Sequence, residues 1–122
     1  MTSALIVLAC LMGACGVALA AAAAHAAPGA GLDSAAYLLL FHAVAVLGAA
    51  SLIGQELLWR PLGLFAMAGF VGGGALFAGD VSMRAFAGHR LFPMAAPTGG
   101  TLLILSWLVL AAAAIVIMLR AR

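Results

Sequence analysis

The sequence predicts an all-α fold, an integral membrane bundle of four transmembrane helices, and two observations predict it. Of the 122 residues, 68% are hydrophobic and only 7% are charged, a balance that a soluble domain of this length could not hide from water. The charged residues also leave four long uncharged segments, each near the length of about 20 residues that a helix needs to cross a bilayer. Residues 1–122 are therefore predicted to form a single transmembrane domain.

The first two transmembrane helices are predicted at residues 4–27 and 34–54. The turn between them contains Pro28-Gly29-Ala30-Gly31, and proline and glycine are the residues that most often interrupt a helix. Asp33 and Ser34 follow this turn and can cap the second helix.

The third and fourth transmembrane helices are predicted at residues 61–86 and 101–119. Pro61 suits the first turn of a helix, where its missing N–H is not needed. Residues 88–100 contain two prolines and paired glycines, which predict a non-helical connection. The glycine that opens this connection can close the third helix, and Thr101 can cap the fourth.

Arginine positions give the expected orientation of the bundle. With four crossings, Arg60, Arg120 and Arg122 lie on the side of the termini, and Arg84 and Arg90 lie on the opposite side. The positive-inside rule then favours termini in the cytoplasm. The formal net charge of +2 is too small and too scattered for a nucleic-acid-binding face, so nucleic acid is not an expected partner.

Glycine is densest in the third helix, where Gly69 and Gly73 form a small-xxx-small pair. Such pairs allow two helix backbones to approach closely in lipid. We expect tight helix packing here rather than a glycine-lined ligand slot.

Polar residues gather at one end of the predicted bundle. Antiparallel neighbours bring the end of the first helix, the start of the second, the end of the third and the start of the fourth to one side of the membrane. The candidate ligand-binding residues at this end are His25, His42, Asp80, Arg84, Thr98, Gly99 and Gly100.

His42 lies deepest of these candidates, in the apolar segment of residues 36–47. An ionisable ring at that depth usually faces a partner or a cavity. It is either a neutral imidazole bonded to a nearby carbonyl or hydroxyl, or a ligand, cofactor or proton-relay group. The same two interpretations apply to His25, which lies closer to the membrane surface.

Asp80 and Arg84 are four residues apart with the acid first, the favourable order for an ion pair on a helix. Pairing lowers the cost of placing both charges in lipid. The pair is either an anchor at the headgroup level or part of a ligand or proton site.

The sequence contains none of the short motifs that carry soluble-type catalysis, such as Gly-x-Ser-x-Gly, His-Glu-x-x-His, Cys-x-x-Cys or a phosphate loop. Its three acidic residues are too few for paired-carboxylate chemistry. We therefore expect no enzyme activity, no catalytic residue, no metal ion and no cofactor.

Three parts of the chain carry a recognisable pattern: Ala24-His25-Ala26, Phe41-His42-Ala43 through Leu47-Gly48, and Leu76-Phe77 followed by Ala96 to Leu103 and Trp107. Together they resemble the small membrane proteins of domain of unknown function 423. The resemblance covers nearly the whole chain and implies a four-helix membrane architecture, but no reaction. We expect an integral protein of a bacterial inner (cytoplasmic) membrane.

The leading expectation for function is a non-enzymatic accessory or interaction subunit, or a binder of a lipid or quinone at the histidine-bearing end. Its expected partners are the lipid bilayer and a larger membrane complex or a homo-oligomer. One alternative is a transporter or proton-path component that acts as an oligomer and uses Asp80. Another is an electron carrier in which His25 and His42 ligate a b-type haem.

Overall fold

The computed structural model describes all 122 residues and contains four helices and no strands. The helices are α1 (Thr2–His25), α2 (Leu32–Gly54), α3 (Arg60–Ala87) and α4 (Ala95–Arg120). Each is long and apolar enough to cross a membrane. The predicted all-α bundle of four membrane-spanning helices is confirmed.

The turn between α1 and α2 differs in detail from the prediction. Helix α1 ends at His25, two residues early, and α2 begins directly after Gly31, which has a left-handed φ of 78°. Asp33 and Ser34 therefore lie inside the first turn of α2, and neither of them caps it. The Ser34 hydroxyl instead donates a hydrogen bond to the Gly31 carbonyl oxygen at 2.8 Å.

Helix α3 begins and ends within one residue of the prediction, at Arg60 and Ala87. Pro61 lies in its first turn, and Gly88 terminates it in a left-handed conformation with φ 75°. A side chain at Gly88 would be strained in that conformation, so glycine is favoured here.

Helix α4 begins at Ala95, six residues before the predicted start. Pro97 is its third residue, and the first N–H groups of a helix have no intrahelical acceptor, so a proline there breaks no hydrogen bond. The prediction that Thr101 caps α4 is wrong. Its hydroxyl lies within the helix and donates to the Pro97 carbonyl oxygen at 2.9 Å.

Helix α3 is the centre of the bundle. It packs against α4 on one side and α2 on the other, while α1 packs mainly on α2 and touches α3. Helix α3 is consequently the most buried of the four, and α4 is the least buried. We call the end where α1 and α3 begin the terminal rim, and the opposite end the loop rim.

The close packing predicted for Gly69 and Gly73 is present between α3 and α4. A methyl group added at Gly73 would come within 2.9 Å of the Gly99 carbonyl oxygen, and one added at Gly99 within 2.7 Å of the Phe77 nitrogen. A methyl group at Gly69 would collide with the Ser106 hydroxyl. Backbone-to-backbone contact of this kind leaves no room for a ligand at the point where Gly73 meets Gly99.

Candidate functional site

His42 is a buried hydrogen-bonding group, with 6% of its surface exposed. Its Nδ1 lies 2.7 Å from the carbonyl oxygen of Leu38, one turn earlier in α2. The indole Nε1–H of Trp107, on α4, donates to His42 Nε2 at 3.2 Å. Since an indole N–H can only donate and a carbonyl can only accept, the ring is a neutral imidazole with its proton on Nδ1.

Phe70 completes the surroundings of this ring. Its side chain is fully buried, and its ring centroid lies 5.3 Å from that of His42 and 4.9 Å from that of Trp107. These three residues lie near the middle of α2, α3 and α4. We call them the aromatic layer, because they join three helices at mid-depth.

Asp80 is the second buried ionisable group, with 1% exposure. One carboxylate oxygen accepts a hydrogen bond from the backbone N–H of Leu91, in the α3–α4 connection, at 3.0 Å. The other oxygen lies 3.3 Å from Nε of Arg84, whose side chain is 43% exposed. We call Asp80, Arg84 and Leu91 the loop anchor, because they hold the connection against the end of α3.

The structure does not bring the candidate residues into one site. His42 contacts Phe70, which precedes Asp80 by ten residues on α3, or about 15 Å at 1.5 Å per residue. His25 is exposed at the end of α1.

The three candidates on α4 are also dispersed. Thr98 is exposed, Gly99 lies in the α3–α4 contact, and Gly100 borders open space. The seven candidates therefore lie in the aromatic layer, the loop anchor, a helix-packing contact and surface positions, and they do not line one common cavity.

The arrangement of the histidines does not suit a haem held by His25 and His42. Ligation of iron by His42 would break its hydrogen bond to either Leu38 or Trp107, and the macrocycle would displace Phe70 from between the helices. No group of three or more His, Cys, Asp or Glu residues is placed to hold a metal ion. No buried side-chain nitrogen or oxygen lacks a hydrogen-bond partner.

Sequence reasoning missed the groups that satisfy these two side chains. Trp107 lies 65 residues from His42, and the Leu91 amide belongs to a connection that sequence patterns describe only as a turn. The position of Trp107 halfway along an apolar helix was the available signal, since tryptophan in a membrane helix usually lies at an interface.

Comparison with known proteins gives one family. The model of a family described as "Protein of unknown function (DUF423)" matches residues 12–100. The matched residues run from the middle of α1 to the second turn of α4, and they include His42 and Asp80 but not Trp107. No curated protein matches the chain, and no solved structure matches it.

Proposed function

The chain belongs to the DUF423 family of proteins of unknown function, and from its own structure we propose that it is a non-catalytic subunit that binds a partner protein within a bacterial inner membrane. This proposal keeps the interaction role expected from the sequence and places the binding surface on the outside of the bundle. It does not include the expected binding of a lipid or quinone at the histidine-bearing end.

The complete satisfaction of the buried polar groups carries the proposal. Both nitrogens of His42 and both oxygens of Asp80 are bound by groups of the same chain. A general base, a ligand-binding group or a transport carboxylate needs a free position from which to reach its substrate. The bonds of these two residues support a role in building the scaffold.

The outer face of α4 supports the choice of a protein partner. Helix α4 packs almost entirely on α3, so one flank of it is held by the chain and the other is free. Large apolar side chains are exposed along that flank: Ile104, Leu105, Leu108, Ile115 and Met118. A helix fixed on one side only can present its other side to a helix of another protein.

Native mass spectrometry of the protein extracted from its own membranes in a mild detergent tests the proposal. We expect a complex of fixed stoichiometry with a second membrane protein. Leu108→Trp should dissociate the complex, because the larger side chain would lie in the interface. Val44→Trp is the matched control, since Val44 is comparably exposed on α2, and it should leave the complex intact.

Two results would contradict the proposal. One is a chain that carries only lipid in this experiment. The other is a complex that responds equally to the substitutions on α4 and on α2.

A further inference from the structure

A depression of about 600 Å³ opens at the terminal rim, at the opposite end of the bundle from the loop anchor. Its walls come from the start of α1, the end of α2, the α2–α3 connection and the end of α4. Thr2, Glu56, Trp59 and Arg60 supply its polar side chains. Arg120 lies over the Trp59 ring at 5.1 Å, so this second arginine is already engaged by the wall.

Glu56 and Arg60 line this depression together without forming an ion pair. Both are exposed, and the ion pair of the loop anchor, between Arg84 and Asp80, is the only salt bridge in the chain. The depression therefore presents Glu56 and Arg60 without an ion pair between them, while the guanidinium of Arg120 packs on its Trp59 wall.

Arg60 also lies at the head of an apolar groove of about 460 Å³. This groove follows the outward face of α3 along Pro61, Leu64, Phe65 and Ala68, a distance of about 10 Å at 1.5 Å per residue. Phe65 and Ala68 also border a second apolar groove of about 310 Å³ between α3 and α4. The two grooves thus share a wall, and together they extend from Arg60 toward the middle of the bundle.

We propose that the terminal rim binds a zwitterionic glycerophospholipid with a primary ammonium headgroup. The phosphate pairs with Arg60, the ammonium pairs with Glu56, and an acyl chain follows the apolar grooves along α3. Arginine binds phosphate oxygens through charge-assisted hydrogen bonds.

The two charges together select this headgroup over its alternatives. A purely anionic headgroup could pair with Arg60 but would bring its negative charge toward Glu56. A cationic amphiphile could pair with Glu56 but would bring its positive charge toward Arg60. A headgroup that carries both charges satisfies both residues, and its apolar chains match the groove below.

Lipid retention measured by native mass spectrometry tests the assignment. The delipidated full chain is mixed with phosphatidylethanolamine or phosphatidylglycerol of identical acyl chains. The unmodified chain should retain phosphatidylethanolamine at least several-fold better. Glu56→Gln should reverse that preference, and Arg60→Gln should lower retention of both lipids by about tenfold, the loss expected for one charge-assisted hydrogen bond.

Arg90→Gln is the matched control, because Arg90 is an exposed arginine at the loop rim and borders neither the depression nor the grooves. It should leave retention of both lipids unchanged. Equal or better retention of phosphatidylglycerol by the unmodified chain would overturn the proposal, and so would equal effects of Arg60→Gln and Arg90→Gln. The headgroup site does not use Leu108, the residue whose substitution tests the protein partner, and Leu108 borders neither the depression nor the two grooves. Either result therefore leaves the proposed protein partner to its own test.

Discussion

The aromatic layer and the loop anchor bury an ionisable side chain in two different ways. His42 lies at mid-depth and is satisfied by two neutral groups, the Leu38 carbonyl and the Trp107 indole. Asp80 lies about two turns from the end of α3 and is satisfied by a charged group and a loop amide. The apolar middle of the bundle holds a neutral ring, and the charged pair lies where Arg84 can reach the surface.

The role of an ionisable residue within a membrane helix therefore depends on the groups that bond to it as well as on its depth. Burial of a polar group is costly unless each of its atoms finds a partner. His42 meets this condition by joining two helices, so its loss should act on the whole bundle. Asp80 meets it by holding a loop, so its loss should act mainly at one end.

The largest effect is expected for Phe70→Ala, which removes the fully buried ring that packs against both His42 and Trp107. The cavity left in a packed core should lower the free energy of unfolding by about 3 kcal/mol. Denaturant-induced unfolding in mixed micelles measures this change. Phe65→Ala removes the same ring from the same helix at a site that is 71% exposed, and it should cost much less. Similar losses for both variants would contradict the central role of the aromatic layer.

A smaller and more local effect is expected for Asp80→Ala. It leaves the Leu91 N–H without its acceptor and Arg84 without its partner, which should cost about 2 kcal/mol. Hydrogen exchange at the Leu91 amide should become faster, while amides in the middle of α2 keep their protection. Asp80→Asn retains an acceptor for the Leu91 N–H, so its unfolding free energy and its Leu91 exchange rate should lie between those of the unmodified chain and those of Asp80→Ala.

Asp33→Ala is the control for the loop anchor, since Asp33 is an exposed acid at the same rim. It should change neither the unfolding free energy nor the exchange of Leu91. Faster exchange throughout the bundle in Asp80→Ala would show that the anchor supports more than the connection.

The number of helices could be predicted because length and apolarity alone decide whether a segment can cross a membrane. The start of α4 could not, because Pro97 is compatible both with a turn and with the first turn of a helix. Likewise, Gly31 rather than Asp33 or Ser34 precedes α2, since a left-handed glycine reverses the chain without a side-chain cap. Local sequence allowed both solutions, and packing of the whole bundle selected one.

The candidate residues were found more easily than their roles. His42 and Asp80 were recognisable as ionisable groups in apolar segments, but Trp107 and the Leu91 amide become their partners only in the folded chain. Gly99 is a candidate ligand-binding residue in the sequence. In the folded chain it packs against Gly73, a member of the small-xxx-small pair that the sequence also shows. A single sequence shows which residues need hydrogen-bond partners, whereas the identity of those partners depends on three-dimensional packing.

The hydrogen bond between His42 and Trp107 is expected to have a smaller effect than either truncation above. A double-mutant cycle of His42→Leu and Trp107→Phe isolates it, and the coupling energy should be about 1 kcal/mol. The Trp107 indole N–H resonance should shift in His42→Leu, because its acceptor is gone. A coupling energy near zero would mean that the layer is held by ring packing alone.

The smallest effect is expected for Arg84→Lys. An ammonium at the same i+4 position can still pair with Asp80, and the partial exposure of the Arg84 side chain weakens the contribution of either cation by screening. The unfolding free energy should therefore change by less than about 0.5 kcal/mol, and the exchange of the Leu91 amide should be unaltered. If Arg84→Lys instead released Leu91 as fully as Asp80→Ala does, the guanidinium geometry would be what orients the carboxylate. The loop anchor would then depend on one specific bond, as the aromatic layer depends on the bond between Trp107 and His42. The two regions would differ only in their depth within the bundle.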